Sequence, residues 1–284
     1  TVLGNNPVLS SMTDLASKIA TIPTAVLVGK TVKDDSISSV HLCDYQGIPS
    51  VLRVDKPLAG YLGLDRAGEF DLLHCIQPHG FSPEPLYSDP GEGILICRFL
   101  EGEACNAEDV HRAENIIELG QLLQSIHRLH VPEFKSRFVN QIQYYEQTLS
   151  GHPKHQILRQ GIDLFATLTA NSDDMVLGHN DLTAANLIQG ERLFIIDWEY
   201  ASLNDPYFDL ATVVENHALT ESETKLFVDA YTGERQFIDF VRLDDWRQLT
   251  HYVNLFWLMM LEKYGTMSLD EQSWLHDLTV ELKR

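Results

Sequence analysis

Leu177-Gly178-His179-Asn180-Asp181-Leu182-Thr183-Ala184-Ala185-Asn186-Leu187-Ile188, followed shortly by Leu193-Phe194-Ile195-Ile196-Asp197-Trp198-Glu199-Tyr200, is the stretch on which the reading of this chain turns. An aspartate and an asparagine joined by small residues can bend into one loop that presents both side chains to a single site. A second aspartate follows the apolar run Leu193 to Ile196, a strand that would hold it rigidly at its end. Two carboxylates and an amide oxygen suit Mg²⁺, a hard ion that takes few protein ligands and completes its shell with phosphates. Phosphoryl transfer asks for that set: the metal offsets phosphate charge while a carboxylate orients the attacking hydroxyl and accepts its proton. Singly, Asp181, Asn186 and Asp197 would be read as turn or cap residues. In this order and spacing they point to catalysis.

Upstream, Ala25 to Lys30, Val40 to Tyr45 and Pro49 to Val54 are short runs rich in branched and aromatic residues. Lys33-Asp34-Asp35 and Gln46-Gly47 separate them as turns, so an antiparallel sheet is expected. Arg66 to Gln77 has helical apolar spacing at Phe70, Leu73 and Ile76. Pro83 to Pro90 reads as a loop and Gly93 to Leu100 as another strand. Beyond Glu101-Gly102 the pattern turns helical. Asn106 is the expected N-cap of a helix whose apolar face runs through Ile116, Leu119, Leu123 and Ile126. Thr220 with Glu223, and Ser268 with Glu271, have capping-box spacing. The expected class is α+β: a β-rich lobe over residues 1–101 and a mostly helical lobe over 102–284.

The 284 residues can bury a substantial core, and their 44% hydrophobic content is that of a globular protein. No apolar run approaches the roughly 20 residues of a membrane helix, so no membrane insertion is expected. Thr1 to Ser11 shows neither a basic region nor an apolar signal core. Cys43, Cys75, Cys97 and Cys105 lack paired metal spacing and read as reduced thiols of a cytoplasmic protein. The net charge of −20 argues against nucleic acid as a partner and is compatible with a cationic substrate.

His179-x-Asp181-x-x-x-x-Asn186, with Ile195-Ile196-Asp197-Trp198-Glu199, resembles the signature shared by aminoglycoside phosphotransferases, choline and ethanolamine kinases and thiamine kinases. These are relatives of protein kinases with the same two-lobed fold. The resemblance implies a protein-kinase-like fold, ATP and Mg²⁺ as cofactors, and phosphorylation of a small-molecule hydroxyl. It implies Asp181 as catalytic base in contact with the acceptor, and Asn186 and Asp197 as Mg²⁺ ligands, with His179 structural. Gly93 to Gly102 resembles the strand and hinge that hold adenine, with Arg98 and Leu100 as contacts. Val51-Leu52-Arg53-Val54 resembles the strand whose basic residue, here Arg53, reaches the phosphates, and Glu69 matches its helix partner. Leu122 to His130 resembles a family helix, which makes His127 and His130 structural. The phosphate-covering loop falls within 29–39, with backbone amides near Ser36 to Ser39 as its expected cover. Some of the family pattern can be followed from about residue 25 to 260.

Asp197 to Ala211 is similar to the matching segment of choline kinases, in which an aromatic cage surrounds a quaternary ammonium. By position Tyr200 matches a cage tyrosine. Thr250 to Trp257 resembles the helix carrying two cage tryptophans; Trp257 falls on the second and Asn254 occupies the first. The missing wall costs about 1 kcal/mol of cation–π attraction, or marks an acceptor with a hydrogen-bonding group. Core packing is the other reading of Trp257. Asp205 and Asp209 are expected to brace the loop after Asp197, and Glu215 and Glu262 to add negative charge near a cation. The leading expectation is an ATP-dependent kinase of choline or a related amino alcohol, acting as monomer or homodimer. A thiamine or aminoglycoside kinase stands beside it. A catalytically silent nucleotide-binding protein is the reading from another class, and the joint presence of Asp181, Asn186 and Asp197 speaks against it.

Overall fold

The structure, a computed structural model, describes residues 15–131, 134–170, 175–233, 237–265 and 267–283. The reading of Thr1 to Ser11 lies outside them. After helical residues 15–19 comes a five-stranded antiparallel sheet, ordered β1-β2-β3-β5-β4. It comprises β1 (Val26–Asp34), β2 (Ser38–Tyr45) and β3 (Ile48–Asp55), then, after helix α1 (Arg66–Ile76), β4 (Pro85–Asp89) and β5 (Ile94–Arg98). Gln46 and Gly47 both take positive φ, 58° and 81°, the pairing that a two-residue hairpin turn requires. Alternation sends Leu52, Val54, Ile94 and Ile96 to one face, where they pack with Cys43 and Tyr45. Leu95 and Cys97 point the other way, into the main core with Leu72, Leu73 and Ile76 of α1.

Two local expectations are corrected. Pro83 to Pro90 is not all loop, since β4 pairs with β5 through it. It is an edge strand with proline as its first residue, where no ladder hydrogen bond is lost. Asn106 does not start the long helix: its Oδ1 accepts from the amides of Glu108 and Asp109, in the bend that leads into the 3₁₀ turn Asp109–His111. The helix proper, α2, spans Ala113–His127 behind Arg112.

A short strand β6 (Glu103–Ala104) precedes α2, and α3 (Phe138–Leu149) and α4 (His155–Thr169) follow it. Next come β7 (Val176–Gly178), β8 (Leu187–Gln189), β9 (Leu193–Ile195) and β10 (Ser202–Asn204), and then α5 (Pro206–Asn216), α6 (Glu221–Thr232), α7 (Phe240–Tyr264) and α8 (Leu269–Glu281). β6 pairs with β8 and β8 with β9, while β10 pairs with β7. Both expected capping boxes form, at the starts of α6 and α8. α7 is the axis of the helical part: Trp246, Leu249, Leu255, Phe256, Leu258, Met259 and Met260 are all fully buried. A helix apolar on so many sides belongs inside a core. Gly120 of α2 lies so close to α6 that a Cβ there would sit 2.8 Å from the Phe227 carbonyl oxygen.

The sheet is tied to the helices on one flank by the 3₁₀ turn Pro57–Tyr61. The Tyr61 ring stacks on Tyr264, with centroids 4.7 Å apart. Tyr144 Oη donates to the Tyr61 carbonyl at 2.9 Å, and Gln141 Nε2 donates to that of Leu62 at 3.1 Å. Gly63, at φ +72°, lets the chain turn under the Tyr144 ring, 2.8 Å from where a Cβ would be. The architecture is the expected α+β one, a sheet followed by helices. Among the described residues the four cysteines are free thiols, and no helix is long and apolar enough to cross a membrane.

Candidate active site

The loop between β7 and β8 is built around one buried carboxylate. Asp209, on α5, accepts from the amides of His179 (2.8 Å) and Asn180 (2.7 Å) and meets His127 Nε2 at 3.1 Å. Burial alone would raise the Asp209 carboxyl, but the hydrogen bond and charge of His127, with His179, hold it below its ordinary value. Asp209 therefore braces the loop before Asp181, not the loop after Asp197 as the sequence suggested. Asp205 instead caps α5 through the Tyr207 amide and pairs with Arg242. His179 is fully buried; its Nε2 donates to the Ile196 carbonyl at 3.0 Å and its Nδ1 accepts from the Asp181 amide at 3.3 Å. It links the two halves of the signature and takes the structural place expected of it, as does His127, whose Nδ1 lies 2.8 Å from Tyr231 Oη.

Asn180, at φ 65°, donates from Nδ2 to the Tyr200 carbonyl and Ser202 Oγ, both at 2.8 Å, and accepts from Asn204 Nδ2 at 2.9 Å. Asp197, at the end of β9, adopts φ 63° and ψ 62°. Left-handed backbone at a non-glycine residue is uncommon and persists where the surroundings hold it. The outcome is a cleft of about 730 Å³ lined by Asp181, Asn186 and Asp197 together. Asn186 donates from its amide nitrogen to the Asp181 carbonyl (2.8 Å) and to Asp181 Oδ2 (3.0 Å), which turns the amide oxygen to other use.

Charge accumulates around these three. Arg53 of β3 is gripped by Glu69 of α1 through two bonds, 2.5 and 2.8 Å, and lies 3.3 Å from Asp197. The expected strand–helix pair thus forms and leans on the second signature aspartate. Arg66, unremarked in the sequence, pairs with Asp55 and Glu199, each at 2.7 Å. Two guanidiniums serve Asp55, Glu69, Asp197 and Glu199, and Asp181 has none. Burial first, then the charges of Asp197 and Glu199, pushes the Asp181 carboxyl up to about 8. Burial and Asp197 likewise push Glu199 up to about 7. So many carboxylates short of countercharge fit a divalent cation, and Asp197 and the Asn186 oxygen are the oxygen donors that could hold one. Among the described residues no three His, Cys, Asp or Glu side chains form a closed metal cage.

Other expected positions fare differently. Arg98 and Leu100 do not line the cleft. The Arg98 amide is committed to the Glu84 carbonyl at 2.8 Å, and its exposed guanidinium pairs with Glu84 at 2.6 Å. In the β1–β2 hairpin the amides of Ile37 and Ser38 are already bonded to Asp35 Oδ1, at 2.8 and 2.9 Å. Lys33, which the sequence did not single out, lines the cleft and pairs with Asp35 at 3.1 Å. Glu215 and Glu262 do not reach the cleft: Glu215 binds Arg247 and His251, and Glu262 binds Lys154 and His152.

Tyr200 and Trp257 also line the cleft, joined by a 3.1 Å bond from Trp257 Nε1 to Tyr200 Oη. Trp257 both lines the cavity and packs on the core, so the two readings of it meet. Asn254 lines the cavity as well, and so does Trp274 of α8, whose ring centroid is 6.4 Å from that of Trp257. No local sequence signal marks Trp274; only the packing of α8 on α7 brings it there.

A sequence model described as choline/ethanolamine kinase matches residues 48–260. Protein LicA of Haemophilus influenzae is 29% identical over 206 residues, a match that covers 68% of this chain and 59% of that protein. The crystal structure of choline kinase LicA from Streptococcus pneumoniae superposes with a TM-score of 0.76 at 19% identity, covering 96% of this chain and 99% of that one. A structure of LicA in complex with AMP gives 0.76 at 18% identity, over 95% of this chain and 96% of its own.

Proposed function

The chain belongs to the choline/ethanolamine kinase family, and from that premise we propose that it transfers the γ-phosphoryl group of ATP to the hydroxyl of choline or a related amino alcohol. The observation that carries the reading is the meeting of Asp181, Asn186 and Asp197 in one cleft that is also walled by Tyr200, Trp257 and Trp274. Asp181 orients the acceptor hydroxyl in line with the γ-phosphate and takes its proton. Asn186 and Asp197 hold Mg²⁺, which when bound neutralises charge on the phosphates. Arg53, fixed by Glu69, faces the phosphate end and keeps Asp197 turned toward it. The aromatic faces attract the acceptor cation without needing hydrogen bonds from it. Residues up to 101 form the nucleotide side and residues 102–284 the acceptor side of a cytoplasmic enzyme.

The test is ADP release from Mg²⁺-ATP in the presence of choline, ethanolamine, thiamine or an aminoglycoside. Choline or ethanolamine should give the highest kcat/KM. A preference for thiamine or an aminoglycoside would replace the acceptor, and no acceptor-dependent ADP release at all would remove the reading.

A further inference from the structure

Trp274 walls the cleft from α8, a helix near the end of the described chain that lays only Leu275, Leu278 and Thr279 into the interior. A helix with so little buried surface needs other ties to hold one of its side chains in place. The two helices run antiparallel, so that Trp274 meets Trp257 at one level and Glu281 meets His251 at another, about two turns away. At that second level His251 Nδ1 lies 2.9 Å from Glu281 Oε1, and its Nε2 lies 2.8 Å from Glu215 Oε2. Glu215 is on α5, the helix whose Asp209 braces the loop before Asp181. One imidazole therefore ties three helices, and both its nitrogens face carboxylates. Only the imidazolium has a proton on each nitrogen; the neutral ring would turn a lone pair toward one of the two carboxylates.

We propose that His251 is a positioning residue for the acceptor: as an imidazolium bridging Glu215 and Glu281, it holds α8 against α7 and so keeps Trp274 facing Trp257 across the acceptor end of the cleft. The proposal rests on the kinase reading for its link to the acceptor, while the clamp itself stands on the geometry alone. The groups that face His251 are Glu215 from α5 and Glu281 from α8. On α7 itself Arg247 shares Glu215 at 2.5 Å and is also held by Asp244 at 2.8 Å. The hydrogen bond that His251 donates to Glu215 leads in raising the imidazole above its ordinary value, with burial opposing and the charges of Glu215 and Glu281 adding to it. The sign follows from that direction. A histidine raised in the folded state contributes fully below its ordinary titration range, and the contribution is lost as pH climbs through the raised value. The clamp is thus closed below the ordinary imidazole range and released as pH climbs past the raised value.

Two readouts test this on the full chain, with His251→Gln and Glu281→Gln as variants. The first is the pair of Michaelis constants, for choline, whose charge does not titrate, and for ATP. At pH 6.5 each variant should raise the choline KM about threefold and leave kcat and the ATP KM within error. Wild-type choline KM should climb toward pH 9, and the climb should be absent in His251→Gln. The second is hydrogen exchange of the α8 amides, which needs no substrate. Both variants should exchange faster than wild type at pH 6.5, and wild type should approach them at pH 9. Unchanged α8 exchange in both variants overturns the clamp. Faster exchange with an unchanged choline KM, or with an equal rise in the ATP KM, overturns its role in acceptor positioning. Should no acceptor be phosphorylated, the kinase reading fails by itself, and the exchange data still decide whether His251 holds α8.

Discussion

Asp181 meets its nearest polar neighbour, Asn186, through an amide that donates to both its carbonyl and its carboxylate. The side chain is held in one orientation while burial and the charges of Asp197 and Glu199 raise its affinity for a proton. Asp181→Ala should lower kcat by about a thousandfold while ATP still binds, as measured by steady-state assay and nucleotide titration; near-normal turnover would strip Asp181 of its role. Asp197→Ala should abolish the dependence of rate on Mg²⁺ concentration together with the rate itself, and a variant that still responds to Mg²⁺ would remove Asp197 from the metal. Removing the Trp257 face forfeits about 1 kcal/mol of cation–π attraction, so Trp257→Ala should raise the acceptor KM about fivefold with little change for ATP. Equal rises for both would return Trp257 to the core alone. At this scale the sequence best foretold which side chains meet: 181, 186 and 197 in one cleft, and Arg53 with Glu69. Arg66, Glu199 and Lys33 were not legible as site residues, because each is a common charged residue whose meaning comes from the neighbours the fold brings to it. Arg98 and Leu100 were carried over by position, but the sheet claims the Arg98 amide for itself.

Among the elements, the strands and turns with strong local patterns were visible from the chain alone, including the Gln46-Gly47 hairpin and both capping boxes. β4 was missed because prolines near its ends suggest a loop, and only its place at the sheet edge makes them harmless. The start of α2 was misplaced because Asn106 serves a bend as well as it would cap a helix. The pairing of α2 with α6 had no local signal either, beyond a glycine inside a helix. That glycine yields a sharp expectation. A methyl group at position 120 would press on the Phe227 carbonyl and on Ala230, backbone and side chain of a packed neighbour that has little room to yield. Gly120→Ala should cost about 1–3 kcal/mol through overpacking, read as a fall in the denaturant midpoint at unchanged slope. A stabilised variant would mean that α6 gives way and that helix propensity decides.

The molecule as a whole carries a formal charge of −20, and around its cleft Asp181, Asp197, Glu69 and Glu199 outnumber the two guanidiniums beside them. A cationic acceptor is drawn toward such a field, and salt screens it over about 8–10 Å at physiological strength. Raising ionic strength should therefore lower kcat/KM for choline several-fold, through KM, while an uncharged alcohol used as a slow acceptor should show no such fall; identical salt profiles would show that the field does not steer the acceptor. The contact of Tyr61 with Tyr264, backed by Tyr144 and Gln141, has a consequence of another kind. A jaw riveted along its cheek as well as at its joint has little room left to gape. Swinging the sheet bodily away would shear that rivet, and the β1–β2 tip is itself pinned, by Lys56 to the carbonyls of Asp35 and Ile37 and to the Asp34 carboxylate. The gape of that mouth is then largely set before any nucleotide arrives.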